Sequence, residues 1–419
     1  MTQPSWLMVS RRRVLLGGLS TLLVSACLDA DNEGDAELAI LGDDFEPGQP
    51  TGDIALKQWT WDESEPIEST ISDALPAGFS LDITSFDDRA SLEAAVAHAL
   101  TNHAAPGCFE TVTGEELWRY VTAHTVHDIP DLVTGDFLDD CRPGVPETVL
   151  FDGEPWAVPV GLRCQNWCAV MATDDVSADT LRQCETFEEF LAELPGSDSR
   201  IAVQESAQGL FQLFCLEMLS HHGTGGFKEI VEGSPRIGTV TPAIEALNDA
   251  MAIDALELIA GDWTPSTVES AGVDAAIGAP QLYHSFTESG ISWTPVRWPG
   301  TQSYVSLSVI GYPFPKRSPE PQGTTKLLHA LADNNVQSTI APAMELLPAR
   351  STADIAAEIG PPVASYRDWI DSAEHVIPSV ATGCGLDSDA RIRAIECFDP
   401  ATFVETPTDD IARKLQAAL

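Results

Sequence analysis

Positive charge is what this chain has least of. Against 64 Asp and Glu stand 22 Lys and Arg, only five of them Lys, for a formal net charge of −42 over 419 residues. So acidic a surface repels nucleic acid and anionic headgroups, which excludes both as direct partners. Long apolar runs are also missing. Val14 to Val24 is too short to cross a bilayer, and nothing further along is longer. Gly-x-Ser-x-Gly and His-Glu-x-x-His do not occur, so two hydrolase signatures are absent. No Cys-x₂-Cys pair accompanies His221-His222, so a zinc site on these residues has little support, and the sequence calls for no metal or cofactor. Carboxylates are so common that a glycosidase-like acid pair can be drawn almost anywhere, which makes that signal uninformative.

What is present begins at the amino terminus. Ser10-Arg11-Arg12-Arg13 precedes the apolar run, with a twin-arginine flavour, and Val24-Ser25-Ala26-Cys27 follows it. A basic start, a short apolar core and small residues make a secretory signal. The last four residues resemble the lipobox of bacterial lipoproteins. The expectation is that residues 1–26 are removed and Cys27 is lipidated. The chain is then exported and held by lipid on the outer face of the membrane or in the periplasm. An ordinary signal peptide with an incidental cysteine is the alternative. Residues 27–53 read as an acidic tether: Leu28 to Asp53 holds nine acids and no base. As a flexible coil it spans on the order of 28 Å.

Eight further cysteines lie at 108, 141, 164, 168, 184, 215, 384 and 397. In an oxidising compartment an even number reads as up to four disulfides, with Cys384–Cys397 the expected local pair.

About 390 residues after cleavage exceed one ordinary core and suggest two lobes. Ile54–Trp59 reads as a strand, Glu65–Leu75 as a helix, and alternating Phe79, Leu81 and Ile83 as a half-buried strand. Leu92, Ala95, Val96, Ala99 and Leu100 follow at helical spacing. Strand, helix, strand, helix predicts βαβ units and a largely parallel sheet. Thr186-Phe187-Glu188-Glu189 is a capping box opening a helix to Leu194. Later helices are expected near Leu210–Ser220, Ala243–Leu258 and Thr325–Asp333.

Four segments resemble the family 1 extracellular solute-binding proteins, the lipid-anchored receptors of sugar ABC importers. They are Ile54–Trp59; Phe151-Asp152-Gly153-Glu154-Pro155-Trp156-Ala157-Val158-Pro159-Val160; Trp298-Pro299-Gly300-Thr301-Gln302, like the turn of the glucose/mannose-type branch; and Leu347-Pro348-Ala349-Arg350. The resemblance implies an α/β, two-lobe periplasmic-binding-protein-like (type II) fold with hinge-connected lobes and a solute in the cleft. Lobe 1 is expected at 54–158 and 296–318, lobe 2 at 159–295 and 319–419. Val158-Pro159-Val160 and Pro295 to Pro299 are the expected crossings. Sugars combine apolar faces with hydroxyls, so aromatic platforms and hydrogen-bonding side chains are the expected ligand groups. The candidates are Trp59, Trp61, Glu110, Arg163, Asn166, Gln208, Tyr283, Trp298 and Thr382. The partners implied are a small solute, in the first place a sugar, and an ABC transporter permease.

The chain departs from the glucose-type pattern. Charged or polar residues expected after the Gly-Thr turn, before the Pro-Ala-Arg motif and late in the chain read Ile310, Met344 and Thr382. Arg163-Cys164 replaces a His-Arg pair, and Val112-Thr113 stands where a His is expected before Gly114. Such exchanges alter specificity strongly, because a lost partner leaves a buried polar group unmatched. Glucose is therefore not the expected ligand. A degenerate receptor kept as a sensor or scaffold, and an exported carbohydrate-active enzyme, are the alternatives.

Overall fold

The computed structural model describes residues 54–60, 65–87, 89–102, 104–164, 167–171, 178–194, 200–231, 233–260, 265–277, 293–300, 304–353, 361–378 and 388–419. The signal, the tether and Cys27 lie outside them. Contacts group the chain into two units that exchange at 162/163, 308/309 and 359/360. Residues 319–353 thus fall with the first unit, where the sequence reading gave them to the second lobe.

The first unit begins with β1 (Ile54–Thr60), helix Glu65–Ala74, β2 (Phe79–Ser85), helix Arg89–Thr101 and β3 (Cys108–Phe109). The strands pair in parallel with β1 in the middle, the βαβ arrangement expected from the alternating hydrophobicity. Then come β4 (Thr111–Val112), helix Glu115–Thr122, β5 (Val126–His127), β6 (Leu150–Phe151), β7 (Glu154–Pro155) and β8 (Ala157–Cys164). All eight residues of β8 are buried, as befits an apolar strand inside a sheet. One core gathers Leu56, Val112, Val158, Ile310, Leu327 and Met344; a second gathers Leu92, Val96, Phe109, Leu117 and Ala157.

The second unit contains β9 (Trp167–Met171), β10 (Ile201–Gln204), β11 (Leu256–Ile259), β12 (Ala275–Ile277) and β13 (Trp293–Arg297). Their order is β11-β10-β12-β9-β13. β10 runs parallel to β11 and β12, while β9 runs antiparallel to β12 and β13. β13 therefore points the same way as β10, β11 and β12. The expected helix Ala243–Leu258 is corrected: the helix is Ile237–Ala252, and β11 starts at Leu256. Asp254, at φ 55°, turns the chain between them. The apolar run simply continues from helix into strand, which periodicity alone does not separate.

β14 (Tyr304–Pro315) returns the chain to the first unit. Its first residues pair in parallel with β16 (His375–Pro378) in the second unit, and its later ones pair antiparallel with β4 and β5 in the first. β15 (Leu347–Pro348) pairs antiparallel with β8 on the side away from β14. Two strands thus carry the chain from one unit to the other: β8, which holds the expected Val158–Val160 segment, at 162/163, and β14, beginning five residues after the expected Pro295–Pro299 segment, at 308/309.

The four-disulfide framework is corrected too. Cys108, Cys141, Cys164 and Cys397 are free thiols. Cys397 donates to the Arg393 carbonyl at 3.3 Å, one turn back, instead of reaching for Cys384, which lies outside the described residues. Burial raises the Cys108 and Cys164 thiols well above their ordinary pKa and pushes Cys141 up to about 12. They behave as small apolar core residues.

Candidate ligand site

In open α/β sheets, ligands meet the carboxyl ends of the parallel strands, so each unit is followed to that edge. In the first unit, backbone bonds fasten the edge. The Glu110 N–H donates to the Trp59 carbonyl at 2.8 Å and the Phe86 N–H to the Thr60 carbonyl at 3.0 Å. Trp59 is half-buried and meets Phe86 edge-to-face, with centroids 5.5 Å apart at 62°. The same ring leans on the core around Leu92 and Phe109, so Trp59 is part packing and part edge.

Beside it, the Thr60 hydroxyl donates to the Glu110 carboxylate, and both residues are buried. Glu116, also buried, accepts the Val112 N–H at 3.2 Å and pairs with the Arg89 guanidinium. Gln58 is fully buried and donates to the Tyr312 hydroxyl at 3.4 Å. Charges withdrawn from water this far persist only when hydrogen-bonded, and here Thr60 serves one Glu110 oxygen while Val112 and Arg89 serve Glu116. Glu110 is thus engaged from within its own unit.

A shallow cavity of about 370 Å³ lies elsewhere on this unit, lined by Thr134, Phe137, His329, Asp333 and Arg350 among others. Arg350 is held in its wall by Asp140 at 2.7 Å and by the face of Phe137. The Leu347–Arg350 motif therefore serves to tie this loop to helix Gly135–Asp140.

In the second unit, β10 ends at Gln204 and helix Ala207–Val231 starts three residues later. Ser206 accepts the Gly209 N–H at 3.0 Å, a serine cap, which leaves Gln208 exposed on the first turn at the carboxyl edge. Arg163 is buried at the end of β8. Arg297, at the end of β13, donates to the Ser372 hydroxyl at 2.9 Å. Burial, with Arg182 adding to it, lowers its pKa.

Trp298 is 1% exposed. Its ring stacks on Phe187 at 5.2 Å and its indole N–H donates to Glu217 at 2.8 Å. That places Trp298 in the core of the second unit, away from the role of open platform that its motif suggested. Trp61, Asn166, Tyr283 and Thr382 lie outside the described residues. Ile310 and Met344 sit in the first unit's apolar core, so these positions carry packing and not polar recognition. The Thr60–Glu110 contact and the Glu116–Arg89 pair were missed from sequence. The signal available was an acid and threonines within two residues of a buried strand end.

No family model matches the sequence, and none of the curated proteins does. Solved structures match over most of its length. One is a protein from work on xylan utilization by the thermophilic bacterium Caldanaerobius polysaccharolyticus, 14% identical with a TM-score of 0.68 over 87% of this chain and 99% of that one. A chitin oligosaccharide binding protein follows at 12% and 0.67, covering 87% and 98%. The maltose-maltodextrin binding protein of the thermoacidophilic bacterium Alicyclobacillus acidocaldarius stands at 12% and 0.65, covering 87% and 99%. The chain has the two-lobe α/β fold of periplasmic sugar-binding proteins. At these identities the likeness speaks for the fold and leaves the ligand open.

Proposed function

We propose that this protein is an exported solute receptor that binds a carbohydrate and hands it to an ABC importer permease, anchored by lipid at Cys27. The observation that carries this reading is the match of fold along 87% of the chain to proteins that bind xylan-, chitin- or maltodextrin-type sugars or serve their use. The Trp59–Phe86 edge of the first unit supports it, since a half-buried indole offers a face to a sugar ring. Gln208 on the second unit's edge supplies a hydrogen-bonding side chain. Trp61, Arg163, Asn166, Tyr283 and Thr382 stay in the proposal as further contacts. No step of bond making or breaking is assigned.

Two observations keep the degenerate receptor as a second reading. Glu110 and Trp298, both expected to face solute, are held by Thr60 and by Glu217 and Phe187. Mass spectrometry of small molecules released from protein purified from its native host separates the readings. A stoichiometric saccharide supports the receptor; protein that carries none and binds none when offered an oligosaccharide panel supports the degenerate form. The Cys27→Ala variant tests the anchor: it should leave the membrane fraction or accumulate as precursor, and an acylated, mature-sized variant would refute lipidation at Cys27.

A further inference from the structure

One turn of helix Ala207–Val231 grips three consecutive residues of the second unit. Glu217 holds the Trp298 indole N–H at 2.8 Å, and the Ser220 hydroxyl donates to the Pro299 carbonyl at 2.8 Å. Gly300, at φ 72°, lies so close over Ser220 that an added Cβ would meet that side chain at 2.9 Å. A residue with a side chain fits neither the dihedral nor the space. The gripped turn leads towards β14, whose first residue, Tyr304, sets its hydroxyl in the hollow left by Gly223, where the helix is kinked.

The grip rests on a buried charge. Glu217 is 4% exposed, and a carboxylate this deep needs compensation beyond one neutral N–H. His221 supplies it one helical turn on, with Nε2 3.5 Å from the second carboxylate oxygen. The His221 ring is open enough to exchange protons with solvent, at 41% side-chain exposure. Each proton it takes or loses therefore changes the compensation of Glu217.

We propose that Glu217, His221 and Trp298 form a pH-operated latch that holds the Trp298–Gly300 turn while His221 is protonated and loosens it when that proton leaves. The titratable groups around it are Glu217 and His222 on the same helix, Tyr304 at the kink and His375 stacked on Tyr304 at 5.3 Å. Glu185 contributes its backbone carbonyl against Gly300. The hydrogen bond to Glu217 raises the His221 pKa above its ordinary value, with burial working against it. The sign follows: the stabilisation is complete below about 6.5 and is lost as pH rises through the raised value.

The test is ¹⁹F NMR of protein labelled with 5-fluorotryptophan, the Trp298 signal being assigned by Trp298→Phe. That signal should titrate with a midpoint above 6.5. It should cease to titrate in His221→Gln and keep titrating in His222→Gln and His375→Gln. Glu217→Gln, of the same shape, should lower the His221 midpoint. A Trp298 signal that stays fixed between about pH 5 and pH 9 would overturn the latch, as would an unchanged titration in His221→Gln. The His221 variant alters an exposed ring and decides the matter even if the Glu217 variant does not fold.

Discussion

In the first unit the ends of β1 and β3 bring Thr60, Glu110, Thr111 and Glu116 together in the interior, whereas the second unit fills its interior with Phe211, Phe214, Phe398 and Phe403. Phe398 lies at the centre of that group, 4.8 Å from Phe214, 5.6 Å from Phe211 and 5.6 Å from Phe403. A ring cluster gains from area and dispersion and tolerates small shifts. A buried carboxylate network depends on each named partner, because removal of one strands the other. The polar interior therefore makes the first unit's strand ends the stricter of the two. Among the described residues of the second unit one carboxylate is buried on this scale, Glu217, and it fixes a turn.

Substitutions can break this comparison. Phe214→Ala should have the largest effect, about 3–5 kcal/mol by denaturant unfolding, since it leaves a ring-sized cavity beside Phe398. A loss under about 1 kcal/mol would mean that the cluster closes over the gap and that the second unit is as plastic as a loosely packed core. Thr60→Val keeps shape and removes the hydroxyl that serves Glu110. It should cost about 1–3 kcal/mol, and a neutral result would show that the first unit's polar interior is not partner-specific.

Acid titration sharpens the same contrast on the first unit's surface. Burial alone would raise the Asp140 pKa, but hydrogen bonds from Thr352, Arg350 and Ser351 outweigh it and hold the carboxyl below its ordinary value. Its contribution is present above about pH 3.9 and fades as pH falls through the lowered value. Asp140→Asn should therefore melt lower than the native protein at neutral pH, and the two should converge in strong acid. A gap that stays constant with pH would assign the loss to shape and not to charge. Reductant should have the smallest effect of all. With Cys108, Cys141, Cys164 and Cys397 as thiols, a thiol titration in denaturant should return at least four, and dithiothreitol should leave the melting temperature unchanged.

Much of the fold was legible because periodicity reports burial on one face. β1, β2 and the helix that follows each were placed by alternation and by apolar spacing. The capping box at Thr186 is present as read, with the Glu189 N–H donating to the Thr186 hydroxyl at 3.2 Å and the Glu189 carboxylate accepting the Thr186 N–H at 3.3 Å. The site was less legible. A Trp-Pro-Gly motif marks a turn, but whether the indole faces solvent depends on Glu217, 81 residues earlier in the chain, and on Phe187. The cysteine count suggested disulfides from compartment alone, while geometry left Cys108 and Cys164 as single buried thiols and Cys141 and Cys397 as half-buried ones. Ile310 and Met344 reveal their role only once β14 and the segment after helix Asn334–Ala343 are seen to close over one core.

The proposed carbohydrate site is an edge of the folded chain that includes Trp59. Thermal unfolding against a panel of mono- and oligosaccharides tests it most directly. A ligand at a hundredfold excess over its Kd adds about 2.7 kcal/mol to the folded state. One saccharide other than glucose should raise the melting temperature clearly, and Trp59→Ala should remove most of that rise. No shift with any saccharide, or a full shift retained in Trp59→Ala, would contradict the account.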